Sequence, residues 1–254
     1  MNGATKKFTY EVKFAEESSE NEFIPRLWAT RRVGYLLDEI RLHGENGELR
    51  DEVTELARRY GIVTPYTAYL ILEDESHREV PMTMRSLQSF DRDHAARAES
   101  AKVWNDWKNE SAGEKSVADA LSGNALKLAD APAKAMADNG AAFNRRYGFA
   151  GGSESRAGVS LGSTVAPSVE TPQGRLVQYA NQSQFVAGKN FFQNNSQWMD
   201  SAVQKNKDAK RVRIQFGSPE YFEFAAKNTN ALPWLALGQE VQFVIDRKVY
   251  EVYK

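Results

Sequence analysis

The chemistry open to this chain is narrowed first by the residue types it lacks. Among 254 residues there is no cysteine and there are three histidines, which excludes disulfide staples, thiolate zinc sites and a cysteine nucleophile. His43, His77 and His94 stand 34 and 17 residues apart, far from the short spacing that lets two imidazoles hold one metal. Each reads as a surface or capping residue. Gly158-Val159-Ser160-Leu161-Gly162 has the spacing of a nucleophile elbow, but all three histidines precede Ser160, where that arrangement requires one after it. Its neighbours are glycine and serine, so the match reads as chance. The acidic runs Glu16–Glu22 and Glu73-Asp74-Glu75 lack the alternating ligands and the glycine of a calcium loop. No phosphate-cradling glycine motif occurs. The residues therefore nominate no catalytic side chain, no metal ligand and no cofactor site. A hydrolase-type enzyme with a site assembled from distant carboxylates stays as the competing class, since any two of 34 acidic side chains can meet in space.

Binding is better signposted than catalysis. The formal charge of −1 hides a gradient: −4 over residues 1–85, −1 over 86–172 and +4 over 173–254. Much of the C-terminal excess lies in Lys205, Lys207, Lys210, Arg211 and Arg213. These five are the candidate contacts for a partner, one of acidic character. No base-stacking aromatic pattern accompanies them, so nucleic acid is not expected; their plainer reading is a solvated turn running into a half-buried strand. No run of apolar residues is long enough to span a bilayer. The opening MNGATKKFTYEV has no apolar segment of the signal-peptide kind. Asn109, Asn181 and Asn194 each begin a glycosylation tripeptide, meaningful only in a eukaryotic secretory setting.

The elements that must position these residues follow from periodicity. Phe8, Tyr10, Val12 and Phe14 alternate with polar residues, which predicts a strand. Pro25 suits the first turn of a helix in which Ala29, Val33, Leu36, Leu37 and Ile40 share one face, closed at His43-Gly44. Leu49, Val53, Leu56 and Tyr60 predict a second helix, stopped at Gly61, so the pair reads as a helical hairpin. Ile62–Leu72 is apolar and β-branched and predicts a buried segment ending in a strand. Residues 85–150 are Ala-rich and predict two or three helices, with Trp104 and Trp107 one turn apart and Val117, Leu121 and Leu128 at helical spacing. Residues 148–172 have the Gly/Ser composition of a flexible linker.

In the last stretch, strands are expected at Arg175–Ala180, Gln184–Ala187, Asn190–Gln193, Gln197–Met199, Arg211–Phe216, Val241–Ile245 and Lys248–Tyr253. Ser218-Pro219-Glu220 should open a helix, and Asp246-Arg247 should turn a hairpin. The fold class expected is α+β. An N-terminal strand and helical hairpin fill 1–84, and an Ala-rich helical segment fills 85–147. A linker over 148–172 leads to a small α+β module over 173–254.

One segment is more specific than its periodicity. Ile24-Pro25-Arg26-Leu27-Trp28-Ala29, Gly34 with Leu36-Leu37, Glu48-Leu49 with Glu52, Arg59-Tyr60-Gly61-Ile62 and Thr64-Pro65-Tyr66-Thr67 are the points concerned. Together they make Phe23–Leu70 resemble a stretch of proteins that combine a vault/inter-alpha-trypsin (VIT) domain with a von Willebrand factor A domain. The tail from Phe185 is similar to that of bacterial members. The resemblance implies a helical hairpin with a return strand after it, and a place in the C-terminal third of a longer protein. The family's adhesion-site motif D-x-S-x-S is missing, so its metal chemistry transfers to no residue here. What the resemblance does imply is a non-enzymatic accessory or protein-interaction region, extracytoplasmic or in the cell envelope. Protein partners are expected, and the strand at Phe8–Phe14, parted from its neighbours, could self-associate.

Overall fold

The computed structural model describes residues 23–110, 112–146 and 171–254. The expected strand at Phe8–Phe14, the serine of the elbow-like tract and nearly all of the linker lie outside them.

Helix α1 (Phe23–His43) buries Ala29, Val33, Leu36, Leu37 and Ile40, the stripe its spacing predicts. Helix α2 (Gly47–Tyr60) starts at Asn46, whose side-chain oxygen accepts from the Leu49 amide at 2.9 Å, and stops at Gly61 with φ of +65°. The segment after it corrects the expectation of a strand. Pro65–His77 is a helix, α3. Thr64 and Thr67 cap it reciprocally: the Thr64 amide donates to Thr67 Oγ1 at 2.7 Å and the Thr67 amide to Thr64 Oγ1 at 3.2 Å. Pro65 takes the first position, where a missing N–H costs nothing. Tyr66, Thr67, Ala68, Leu70, Ile71 and Leu72 are all buried, so α3 is apolar on nearly every side. A helix buried all round shows no 3.6-residue alternation, which is why it reads like a buried strand.

Four helices follow, more than the two or three expected. These are α4 (Gln88–Arg92), α5 (His94–Asn109), α6 (Glu114–Lys127) and α7 (Pro132–Arg146). Trp104 and Trp107 of α5 stack at 5.1 Å and are buried, and Tyr66 meets Trp107 at 5.3 Å and Phe143 at 5.9 Å. Pro172–Ala180, where a strand was expected over most of the range, is helix α8. Thr171 caps it, Pro172 begins it, and Leu176 and Ala180 fall on its buried side at i, i+4.

The six-stranded mixed sheet makes the fold α+β. Its strands are β1 (Ser183–Val186), β2 (Lys189–Asn194), β3 (Gln197–Asp200), β4 (Arg211–Gln215), β5 (Glu240–Ile245) and β6 (Lys248–Tyr253). Their order is β1-β2-β3-β5-β6-β4, with β3–β5 and β4–β6 parallel. Two-residue turns at Ala187-Gly188 and Asp246-Arg247 put both residues at positive φ, the geometry that matches strand twist in a hairpin.

The period of two divides the sheet's faces. Asn190, Phe192 and Asn194 point into the helical body, and Phe192 joins the core that includes Ala29, Leu70 and Trp104. Asn190 Nδ2 donates to the Arg58 carbonyl at 2.9 Å, and Asn194 Nδ2 to the Arg85 carbonyl at 3.1 Å. Phe191, Val241, Phe243 and Val252 point the other way, under α9 (Pro219–Lys227) and α10 (Leu232–Leu235).

Candidate interaction surface

The outer end of the sheet carries the basic residues. β4 is an edge strand among the described residues. The Val249 amide bonds the Lys210 carbonyl and the Phe216 amide bonds the Tyr253 carbonyl. In a parallel ladder the bonding residues alternate, so 210, 212, 214 and 216 face β6. Arg211, Arg213 and Gln215 therefore turn their backbone N–H and C=O groups outward. Their side chains share a sheet face with Val249, Glu251 and Tyr253, to which they are registered in that order. Arg211 and Arg213 approach the one Glu251 carboxylate at 4.0 and 3.6 Å, and the Arg213 guanidinium lies over the Tyr253 ring at 4.4 Å.

On the opposite face, β4 places Val212 and Ile214 beside Tyr250 and Val252. That side is covered by α9, which Ser218 caps through the Tyr221 amide at 3.2 Å, as its sequence predicts. The cover is thin. No residue of α9 is buried; Phe222 is 63% exposed, and Phe216, at the end of β4, is 38% exposed. Phe216, Tyr221 and Phe222 form a ring series with centroids 5.1 and 5.4 Å apart. The edge strand is thus flanked by guanidinium groups on one face and by exposed aromatic rings at its end. The aromatic composition of this stretch hinted at the rings; which of them are left uncovered follows from the packing of α9.

The five basic residues do not form one patch. Lys205 reaches across to Glu55 at 2.5 Å, on the rim of a cleft of about 480 Å³ between α2, α3 and the β3–β4 connection. Lys207 and Lys210 are exposed, and only Arg211 and Arg213 stand side by side. The cleft is rich in charge, and its arginines and Lys205 are paired with carboxylates. Asp74 takes both Arg58 and Arg78. Half-burial works to raise the Asp74 carboxyl, and its bonds to the two arginines overcome that and hold it below its ordinary value. Behind it Glu75, fully buried, accepts from the Ser86 amide and hydroxyl and from Gln204 Nε2. This buried hub has no signal in the sequence, because its members lie up to 129 residues apart.

Among the described residues the carboxyl that burial pushes up is Asp119, to about 6, against the pull of Arg146, Tyr66 and Arg41. It is sealed in the helical body at 2% exposure, with the Tyr66 hydroxyl donating to it at 3.1 Å.

No protein-family model, curated protein or solved structure matches the chain.

The remaining candidates from the sequence are placed singly. His43 is exposed and bonds Glu39 at 3.0 Å; His77 and His94 are exposed at helix ends. Among the described residues no group of three or more His, Asp or Glu could hold a metal, and no helix is long and apolar enough to cross a membrane. Asn194 is 4% exposed, and its amide is used by the Gln88 amide and the Arg85 carbonyl, which closes it to modification in the folded chain. Of the tryptophans, Trp104, Trp107 and Trp234 are buried, whereas Trp28 is 54% exposed.

Proposed function

We propose that this chain is a non-enzymatic protein-interaction module that takes an extended, acidic segment of a partner along β4. The observation that carries the reading is the conjunction at one strand: backbone donors and acceptors of Arg211, Arg213 and Gln215 turned outward, with two arginine side chains beside them. An added strand would satisfy those backbone groups, and its alternate carboxylates would meet Arg211 and Arg213. The exposed rings of Phe216 and Phe222 would receive apolar residues at the end of the segment. The accessory role within a VIT/A-domain protein, implied by the resemblance of Phe23–Leu70, belongs to the same proposal. The hairpin of α1 and α2 agrees with it, and the helix α3 stands where it implies a return strand.

A fluorescent peptide alternating glutamate with valine, titrated against the full chain and read by anisotropy, tests the strand reading. Binding should weaken with salt and be lost in the double variant Arg211→Glu, Arg213→Glu. It should also be lost in Arg213→Pro, which removes an outward N–H and leaves the ladder to β6 intact. Binding that survives Arg213→Pro, or its absence from the unaltered chain, would sink the proposal.

A further inference from the structure

The solvent side of α1 is not uniformly polar. Ile24, Trp28, Tyr35 and Leu42 are 51%, 54%, 50% and 65% exposed, and with Arg31 and Asp38 they form one stripe along the helix. Successive members of the stripe alternate four and three residues apart, the spacing of the seam in a two-stranded coiled coil. The core of the chain is built on the other side of α1, from Ala29, Val33, Leu36, Leu37 and Ile40, so the stripe has no part in the packing of the single chain.

We propose that two copies of this chain associate by laying α1 antiparallel on α1, about a two-fold axis at the level of Val33. That register pairs Ile24 with Leu42, Trp28 with Asp38 and Arg31 with Tyr35 of the copy, and each pair occurs twice. The first pair is apolar on both sides. In the second, Asp38 Oδ2 takes Lys127 at 2.7 Å, and its other oxygen accepts the indole N–H of the copy's tryptophan. In the third, Arg31 Nε donates to the Ala129 carbonyl at 2.8 Å, which steadies a guanidinium that then lies on the copy's tyrosine ring. Arg32 of the same chain covers one face of Tyr35, at 5.6 Å, and the other face receives the copy. One surface is thus complementary to itself, as an isologous interface requires. A lipid surface is a poor alternative occupant, since it would strip Asp38 of water and supply no donor. α1 has 21 residues, about 31 Å, and the open parts of its stripe and of Phe23 give a footprint of roughly 650 Å² per copy. A total of about 1,300 Å² falls within the range of specific interfaces, toward its lower end, so the association is concentration-dependent. β4 takes no part in it, and the dimer stands or falls separately from the interaction reading.

Sedimentation velocity of the full chain, from about 1 µM to about 300 µM, should show monomers giving way to dimers. Ile24→Glu and Leu42→Lys should each weaken association at least several-fold, by setting a charge against an apolar partner. Together they should restore it, because the carboxylate and the ammonium then face each other across the axis. Both positions are exposed, and an acidic first turn and a basic last turn suit the helix dipole, so circular dichroism should be unchanged. Ile24→Glu with Leu42→Glu should hold the chain monomeric. A chain monomeric at every concentration overturns the proposal, whether or not the stripe then binds phosphatidylcholine vesicles. So does a dimer that persists in the double-glutamate variant, or an oppositely charged pair of substitutions whose effects simply add.

Discussion

Asn190 of β2 lies against Gly61 of α2, its side-chain oxygen 2.4 Å from where a Cβ on Gly61 would stand. The same side chain donates to the Arg58 carbonyl at 2.9 Å and accepts from Ser183 Oγ at 2.8 Å. The last turn of α2 and the inner strand of the sheet are therefore held together at a point that admits no methyl group. Gly61→Ala adds a left-handed φ of +65° to that clash and should cost more than about 1 kcal/mol. Asn190→Ala should cost about 1–3 kcal/mol by stranding the Arg58 carbonyl. Because the clash is with the Asn190 side chain, the double variant should cost less than the sum. Urea unfolding of the four chains measures this, and strict additivity would show that the close approach is unimportant.

A second close approach joins α1 to α6. A Cβ on Gly34 would lie 2.6 Å from the Lys127 amide nitrogen and 2.7 Å from Leu126 Cβ. The first of these is backbone and cannot swing away. Gly34→Ala gains about 1 kcal/mol of helix propensity, yet it should still destabilise, since overpacking of this kind costs about 1–3 kcal/mol. A melting temperature raised by the substitution would show that the two helices are free to separate.

Asp119 makes a pH-dependent contribution of unusual sign. Its folded pKa is about 6, raised by burial, against about 3.9 in an unfolded chain. Between those values the folded chain binds more protons, so the contribution of Asp119 to stability falls as pH climbs through the window. The stability of Asp119→Asn relative to the unaltered chain should accordingly rise between about pH 4 and pH 6. Urea titrations at several pH values read it directly, and a flat or opposite trend would mean that Arg146 outweighs burial.

Asp93 behaves the other way. It caps α5 through the Ala96 amide at 3.0 Å and ties α5 to α8 through Arg175 at 2.6 Å and the Tyr179 hydroxyl at 3.1 Å. The bond to Arg175 foremost holds its carboxyl below the ordinary value. Its contribution is present above the unfolded pKa and is lost as pH falls through the depressed folded one. Asp93→Ala should cost about 1 kcal/mol for the cap alone at neutral pH. Asp93→Asn should keep the cap, and its deficit should shrink as pH drops below about 4. A deficit independent of pH would show that the charge pairing with Arg175 does not contribute to it.

How far the sequence reached depends on whether an element has one wet side. In α1 and α2 the polar faces are solvated, so the buried stripe shows as a period of 3.6 and the hairpin is legible. In β2, β5 and β6 alternation and turn residues do the same at a period of two. Where that contrast is missing, as in α3 with nearly every side buried, the strand reading fails although Thr64 and Pro65 announce a helix start. α8 is short, and its capping residue and first-position proline outweigh the alternation read from Arg175 to Ala180.

Composition and spacing, by themselves, determined the α+β class, the helical hairpin, six strands, the turns and the basic surplus near β4. Tertiary structure decided which basic residues act together: Lys205 is drawn off to Glu55, while Arg211 and Arg213 converge on Glu251. It also decided that Val117, Leu121 and Leu128 face outward and that Glu75, Ser86 and Gln204 meet in a buried hub. Periodicity reports that a helix has an apolar stripe. Whether that stripe is covered depends on what packs against it, and those neighbours come from distant parts of the chain.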